Sequence, residues 1–254
     1  MKIIKYQKLN KDRYKLYLDN QTTIILEEDV ILNNNLLFNH EIDEYTYNKL
    51  LKDNKVINIY NSCLKLITIR LRSTYEIRKY LSKKEITKEE EEYIINKLIN
   101  IGYLNDKAFI KAFILDKINL TKSGPYKIIK ELKEHQIDSE LIYQYLNNEE
   151  FNNLFNEKLS KLITKSIKAN KSYSGNILKQ KIYNNLINLG YRKESILEAF
   201  SNFNFTNDSK LKEEYNKLYK KYNKKYPSDK LEYIIRNKLL QKGYTIDSIN
   251  NVNS

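Results

Sequence analysis

The sequence has few of the residues that interrupt helices or cross-link chains. Its 254 residues include five glycines, two prolines and one cysteine. So little glycine and proline argues against an all-β chain and favours helices, whose interiors exclude both residues. The single Cys63 cannot form an internal disulfide, the first residues show no apolar secretory signal, and no apolar run approaches the ~18 residues of a membrane span. We therefore expect a mainly helical protein of the cytoplasm that does not enter a membrane.

Groups that could carry out catalysis are also scarce. The only histidines, His40 and His135, are far apart in sequence, and Cys63 has no neighbouring partner for a metal site of the usual kind. The glycines are too widely spaced for a phosphate-binding loop. Cys63 falls on an apolar helical stripe, which favours a core residue over a nucleophile. The sequence therefore predicts no enzyme, no metal and no cofactor.

The net charge of +13 is unevenly distributed. Residues 1–61 are balanced, with nine basic and nine acidic groups, and residues 89–150 carry eight basic and twelve acidic groups. The surplus lies in residues 62–88, 156–182 and 205–254. A surplus confined to separate segments favours surfaces that face a polyanion, either nucleic acid or an acidic protein. Part of the lysine excess is also what an AT-rich genome would produce.

The first 31 residues differ from the rest of the chain. Between Tyr14 and Leu18, apolar and polar side chains alternate with the period of a half-buried strand. Asp19-Asn20 is a turn signal, the β-branched run Thr22–Ile25 follows, and an earlier strand is expected over Ile3–Lys8, with a turn at residues 10–12. We predict a small meander of two or three strands. It is too small to be stable alone and should pack on the helices that follow.

One helix ending recurs along the chain. The pattern Ile-x3-Leu-x3-Gly-Tyr begins at Ile94, Ile182 and Ile235, and a weaker copy at Ile128 has Gln136 in place of glycine. The spacing of four puts the marked positions on one helical face, and glycine favours the left-handed backbone that ends a helix. The Tyr or Ile that follows is expected to fold back on the last turn as an apolar latch.

These endings predict helical modules. The last two intervals between signature leucines, 54 and 53 residues, each have room for three short helices. We predict a mainly α fold of tandem three-helix modules in an elongated row, with the small N-terminal meander. The predicted divisions are residues 1–52 (β-rich with a short helix), 53–147 (modules 1 and 2), 148–204 (module 3) and 205–254 (the C-terminal module). Capping boxes at Ser73/Glu76 and Thr87/Glu90 mark helix starts, Asp106 is expected to cap the next helix, and Pro125 suits a first helical position.

Three basic clusters are candidate contact sites. Arg70, Arg72, Arg78 and Lys79 are interleaved with tyrosines, and Lys122, Lys127, Lys130 and Lys133 line one side of the helix that begins at Pro125. Residues 222–226, Tyr-Asn-Lys-Lys-Tyr, combine rings for stacking with charges for phosphates. The alternative is that these are ordinary solvated faces of helices, with cations favoured near helix C-termini. The abundance of tyrosine, 22 residues in all, weakens the third signal.

Three ordered blocks resemble the bacterial RecX family of recombination regulators. They are Arg70-x-Arg72-Ser73-x-x-Glu76-Ile77, Gly102-Tyr103-Leu104-Asn105-Asp106-x-x-Phe109 and Lys122-x-Gly124-Pro125-x-x-Ile128-x-x-Glu131-Leu132. The close resemblance covers roughly residues 57–142, and the strand-rich N-terminus with the long C-terminal part is similar to the extended form found in Firmicutes. The chain has Asn105, Ile110 and Gln136 where the family usually has aspartate, alanine and glycine.

The resemblance implies a regulator that binds the RecA recombinase filament. Members of the family lower the filament's ATP hydrolysis, strand exchange and co-protease activity. Within the resembling blocks we select the basic residues Arg70, Arg72, Arg78, Lys79, Lys122, Lys127 and Lys130 as candidate contacts with RecA or with single- or double-stranded DNA. We expect a monomer. The alternative interpretation is an independent, non-specific single-stranded nucleic-acid-binding protein that does not meet RecA.

Overall fold

An antiparallel three-stranded sheet opens the chain. The computed structural model describes residues 1–10 and 12–252. The strands are β1 (Ile3–Asn10), β2 (Arg13–Leu18) and β3 (Thr23–Glu27), in the order β1-β2-β3. Leu16 lies opposite Tyr6 on one side and Ile24 on the other, so that alternate residues form one buried face. The predicted meander is confirmed with three strands; the turn predicted at residues 10–12 includes residue 11, which lies outside the described residues.

The buried face of the sheet packs on two helices, α1 (Glu28–Asn33) and α2 (Glu44–Ile69). Its side chains form one core with Val30 of α1 and with Leu50 and Ile57 of α2. Asn54 of α2 also serves the edge strand: its amide accepts from the Glu27 N–H (2.7 Å) and donates to the Ile25 carbonyl (3.0 Å). The expectation that the meander packs on the helices after it is confirmed.

Helix α2 is continuous, which corrects the sequence reading of two helical elements, one opening at Ile42–Glu44 and one near Asp53. Asp43 caps α2 by accepting from the Thr46 N–H (2.7 Å), and the helix runs without a break to Ile69. The predicted domain limit between residues 52 and 53 falls inside it; the other predicted limits stay predictions. The N-terminal part of α2 therefore packs on the sheet. Tyr60, Cys63 and Ile67, in its C-terminal part, are buried in the next core.

Helices α3 (Thr74–Leu81) and α4 (Lys88–Asn100) complete that second core. Both predicted capping boxes are present, at Ser73/Glu76 and at Thr87/Glu90. Cys63 is fully buried in this core, as predicted, and burial raises the pKa of its thiol to about 11. A thiol with so high a pKa stays protonated and behaves as a small apolar side chain.

The chain divides into two compact units, Met1–Phe109 and the part from Ile110 onward. Helix α5 (Asp106–Leu120) crosses that limit. The other helices of the second unit are α6 (Pro125–Glu134), α7 (Ser139–Leu146), α8 (Glu149–Ala169), α9 (Gly175–Asn188), α10 (Lys193–Phe200), α11 (Leu211–Tyr222), α12 (Ser228–Gln241) and α13 (Ile246–Asn250), with a short 3₁₀ helix at Asp208–Lys210. After α2–α4, the helices follow one another in groups of three, α5–α7, α8–α10 and α11–α13. This succession confirms a mainly helical fold of tandem modules.

The predicted helix endings are real. Gly102, Gly190 and Gly243 have φ of +79°, +88° and +89°. At each of them the next residue's N–H donates to a carbonyl five residues back, as at Tyr103 to Leu98 (2.9 Å), which is the Schellman arrangement. Gln136 adopts φ +54°, in the same left-handed region. Helix α6 therefore ends in this way without a glycine.

The apolar latch is only partly as predicted. Tyr191, Tyr244 and Ile137 are buried after their helix endings, but Tyr103 is 46% exposed. Leu104 takes its place in the core and is 2% exposed. The reason lies in the repeat register: Gln136, Gly190 and Gly243 end the second helix of their groups, whereas Gly102 ends α4, the third helix of the first group. This shift also explains why the first interval between signature leucines is 34 residues and the others are longer.

A buried carboxylate links α11 to the end of α12 and to the loop between α8 and α9. Glu214 of α11 accepts hydrogen bonds from Lys242, Lys217 (2.9 Å) and the Ser172 hydroxyl (2.9 Å). Burial by itself would raise the pKa of Glu214, but these three donors outweigh it and lower the pKa to about 2. A carboxyl whose pKa is lowered on folding stabilises the fold above its unfolded pKa and loses that contribution as pH falls through the folded value.

We therefore expect Glu214→Gln to destabilise the protein by about 3 kcal/mol at pH 7, from the 1.36 kcal/mol that each pKa unit represents. The contribution of Glu214 should begin to fall below about pH 5 and fade towards pH 2. Urea denaturation at pH 7 and pH 3 measures this. Wild type should lose about 2 kcal/mol more than the variant between the two values. Equal losses in both proteins would contradict the ionised, hydrogen-bonded state of Glu214.

Candidate polyanion-binding site

The first predicted contact group is largely neutralised by its own neighbours. Arg70, at the end of α2, and Arg72, just before α3, both reach the carboxylate of Glu76, the latter at 3.3 Å. That carboxylate also accepts from the Ser73 N–H (3.2 Å) as part of the capping box. The two guanidinium groups are therefore held in place at the start of α3 by an internal carboxylate. They present less free charge than the sequence suggests.

Arg78 is engaged in the same way. Its guanidinium bonds Glu91 (3.0 Å) and both carboxylate oxygens of Glu92 (2.7 and 3.0 Å), which ties α3 to the first turn of α4. The hydrogen bond to Glu92 raises the pKa of Arg78, and the same bond lowers the pKa of Glu92. Lys79 is exposed and lies 6.0 Å from the Tyr75 ring centroid, without a carboxylate partner among the described residues. We call Arg70, Arg72, Arg78 and Lys79 the arginine cluster.

Asn105 caps α5 in place of Asp106, the residue that the sequence predicted for that role. The Asn105 side chain accepts from the Ala108 N–H (3.0 Å) and so caps α5. Asp106 instead accepts from the Thr74 N–H (2.8 Å) at the start of α3. The expectation that Asp106 caps the helix after it is wrong, because its carboxylate is directed to the free N–H groups of α3 instead. Asp106 thereby fixes the start of the helix that carries Arg78 and Lys79.

The second predicted group has free charges. Lys122 lies in the loop before α6, and Lys127 and Lys130 lie on the exposed side of that helix. Within residues 1–10 and 12–252, no carboxylate lies within ion-pair distance of these three ammonium groups, and Glu131 is paired with Lys117 instead. Three exposed cations on and beside one short helix are suited to an anionic partner because their attraction is not spent internally.

The start of α6 is fixed by a contact between two glycines. The Gly124 N–H donates to the Leu189 carbonyl (2.7 Å) and the Tyr126 N–H donates to the Gly190 carbonyl (3.0 Å). A methyl group on Gly124 would lie 2.5 Å from the carbonyl carbon of Gly190, so only glycine permits this approach. The N–H groups left over at the start of α6 are thus satisfied by carbonyls at the end of α9.

This contact brings in two residues that the sequence did not single out. The guanidinium of Arg192, just after Gly190, lies 6.0 Å from the ring centroid of Tyr126 and donates to the side-chain oxygen of Asn147 (3.2 Å). Tyr126 is 55% exposed. We call Lys122, Tyr126, Lys127, Lys130 and Arg192 the junction surface. In the sequence, the signal for the proximity of Arg192 and Tyr126 was the presence of Gly124 and Gly190 beside them, because glycine lets two helix ends meet.

The same arrangement recurs one module later. The Ser174 N–H at the start of α9 donates to the Lys242 carbonyl (2.9 Å) at the end of α12. A methyl group on Gly243 would lie 2.0 Å from the Ser174 carbonyl oxygen. The starts of α6 and α9 therefore each meet the glycine ending of the second helix of the next module. This repeated contact sets the spacing of the modules in the second unit.

Two general properties of the described part of the chain bear on function. No group of three or more His, Cys, Asp or Glu side chains in it is placed to hold a metal ion. None of the helices it contains is both long enough and apolar enough to span a membrane.

These features define a class of protein, a tandem three-helix protein with exposed basic surfaces. Two family models match it in succession: the RecX first three-helix domain over residues 60–98 and the RecX second three-helix domain over residues 105–146. The first match covers the end of α2 with α3 and α4, and the second covers α5 to α7. Over residues 60–146 the chain is therefore similar to the RecX family.

Curated relatives match almost the whole chain. The regulatory protein RecX of Listeria innocua is 29% identical over 251 residues, which are 97% of this chain and 93% of the relative. The regulatory protein RecX of Bacillus velezensis is 28% identical over 250 residues, which are 97% and 95% of the two chains. The similarity therefore extends through the N-terminal sheet and the C-terminal modules, as the resemblance to the Firmicutes form predicted.

Two solved structures share the fold. A crystal structure of regulatory protein RecX superposes with a TM-score of 0.64 at 23% identity and covers 76% of this chain and 96% of its own. RecX from Lactobacillus salivarius gives 0.55 at 24% identity and covers 59% and 97%. At these identities the likeness concerns the arrangement of helices alone.

Proposed function

We propose that this protein binds the RecA recombinase filament and inhibits its ATP hydrolysis, strand exchange and co-protease activity. The observation that carries the proposal is the succession of two RecX three-helix domains. The relatives over nearly the full length are named regulatory proteins, which supports a regulatory role. A RecA filament on DNA offers both phosphates and protein carboxylates to a basic surface.

The junction surface is the favoured contact. Among the described residues its lysines have no carboxylate within ion-pair distance, while most of the arginine cluster is engaged by Glu76, Glu91 and Glu92. Tyr126 adds exposed aromatic area beside the charges, and aromatic residues and arginine are enriched where interfaces are strongest. The arginine cluster then contributes chiefly through Lys79 and through the rigidity of α3.

A regulator of this kind acts by binding, without catalysis of its own. The protonated, buried thiol of Cys63 supports that proposal, since a nucleophilic cysteine requires an accessible thiolate. A RecA partner also implies action in the cytoplasm. We propose that the monomer is the binding form.

Titration of the protein into RecA-coated single-stranded DNA tests the proposal. ATP hydrolysis by RecA should fall as the ratio of protein to RecA rises, and the protein should sediment with the filaments. The protein with DNA but no RecA serves as control and should show no ATP hydrolysis. Unchanged RecA activity at every ratio, together with no sedimentation, would exclude the proposed function.

A further inference from the structure

A cluster of free lysines and exposed tyrosines lies at the end of α11, outside the surfaces assigned to the filament. Residues 219–226, Tyr-Lys-Lys-Tyr-Asn-Lys-Lys-Tyr, contain four lysines, three tyrosines and no acidic residue. Helix α11 ends at Tyr222, and a turn follows in which the Lys225 N–H donates to the Tyr222 carbonyl (2.9 Å). We call residues 219–226 the lysine–tyrosine segment.

All four lysines of the segment, Lys220, Lys221, Lys224 and Lys225, are exposed. In the described part of the chain no carboxylate lies within ion-pair distance of any of them, although Lys210, just before α11, and Lys217, within it, are both paired. This is a marked contrast with the arginine cluster, whose guanidinium groups are neutralised. The charge of the segment is therefore available to an external anion.

The local structure alone does not account for so many like charges. Lys220 and Lys221 lie in the last turn of α11, where the helix dipole favours cations. Lys224 and Lys225 lie beyond the end of the helix, where that effect fades. Charges of one sign so close in the chain repel one another, and the contact of Lys221 with the Tyr222 ring, at 5.4 Å from its centroid, offsets this repulsion only in part. A bound polyanion would offset the remaining repulsion between these lysines.

The tyrosines indicate which polyanion. Tyr219 and Tyr226 are 45% and 37% exposed, and the Tyr226 ring centroid lies 6.2 Å from that of Tyr222. Tyr222 itself packs partly against the core of the last module, which anchors the pair. Exposed rings beside lysines suit a strand whose bases are free to stack, since the bases of a duplex are already stacked on each other. Single-stranded nucleic acid uses both kinds of side chain at once, because its phosphates pair with lysines and its base faces stack on rings.

We propose that the lysine–tyrosine segment binds single-stranded nucleic acid directly, with its lysines on phosphates and with Tyr219 and Tyr226 stacked on bases. This contact does not require RecA. It gives the protein a second attachment, on the exposed strand itself, in addition to the proposed attachment to the filament.

The test is the binding of the full chain to a labelled oligo(dT) of about 16 nucleotides, without RecA, followed by fluorescence anisotropy between about 50 and 200 mM salt. Four lysines on four phosphates should contribute about 3 to the slope of log affinity against log salt. Changing Lys220, Lys221, Lys224 and Lys225 together to alanine should remove that contribution. All four are exposed, so normal circular dichroism is expected.

A matched control separates the segment from net charge. Lys65, Lys83, Lys107 and Lys111 are exposed and lie outside every surface discussed, and changing these four to alanine removes the same total charge. We expect this control to change the slope by less than about 1. An equal loss in both four-lysine variants, or no loss in the segment variant, would overturn the proposed site.

The stacking role has its own test. Tyr226→Leu keeps apolar contact but removes the ring, and it should weaken oligo(dT) binding about fivefold or more, the lower range for loss of one stacked base. Binding to a duplex of the same length should not change. If Tyr226→Leu leaves oligo(dT) binding unaltered, or if the duplex binds as tightly as the single strand, the assignment to single strands is wrong. Because RecA is absent, these results do not depend on the proposed inhibition.

Discussion

Replacing Gly243 with alanine is expected to destabilise the protein by about 2–4 kcal/mol, the sum of two unfavourable effects. The left-handed backbone at φ +89° strains any residue with a Cβ, which costs about 1 kcal/mol. The new methyl group would also lie 2.0 Å from the carbonyl oxygen of Ser174, and relieving such overlap in a packed contact costs about 1–3 kcal/mol. The contact between α9 and α12 should loosen as a result.

Gly102→Ala is the matched control for that prediction. Its φ of +79° imposes the same backbone strain, but no atom lies within 4 Å of the position that a methyl group would occupy. We expect a loss of about 1 kcal/mol. Urea denaturation of both variants gives the comparison, and amide exchange at Ser174 reports the contact directly. Equal losses at Gly102 and Gly243 would mean that the helix-end contact contributes no stability, contrary to the structure.

Charge reversal on the junction surface should have the largest effect on filament binding. Changing Lys122, Lys127 and Lys130 together to glutamate is expected to weaken binding to RecA–DNA filaments about a hundredfold at low salt. Like charges facing each other across an interface cost several kcal/mol, and free lysines have no internal partner whose loss would unfold α6. Sedimentation with filaments, or the protein concentration that halves RecA's ATP hydrolysis, measures the change.

The matched control reverses Lys65, Lys83 and Lys107, which are exposed and lie elsewhere. It changes the net charge equally and should alter binding far less. If both triple variants bind filaments like the wild type, the junction surface is not the contact. Reversal of Arg78 is unsuitable for the same purpose, since glutamate there would face Glu91 and Glu92 and destabilise the contact between α3 and α4.

The candidate site was only partly predictable from the sequence. Basic character and helical spacing identified Lys127 and Lys130, because neighbours on one helix are set by the helical period. Arg192 and Tyr126 were missed, since they are 66 positions apart and meet only where the Gly124 backbone approaches that of Gly190. The engagement of Arg78 by Glu91 and Glu92 was missed for a similar reason: the two sides lie on different helices. Whether a charge is free or paired depends on packing across helices.

The sequence by itself determined the helical class, the capping boxes, the glycine helix endings and the N-terminal meander, but not the continuity of α2. Each of these depends on interactions within a few residues: the hydroxyl and carboxylate of a capping box, the backbone freedom of Gly102, or the alternation along β2. Only the tertiary structure decided which helix of a module each ending closes, that α2 serves two cores, and which cations remain available. Those outcomes depend on contacts between segments distant in the chain, whose close approach is set by burial of the cores and by backbone contacts such as Gly124 with Gly190.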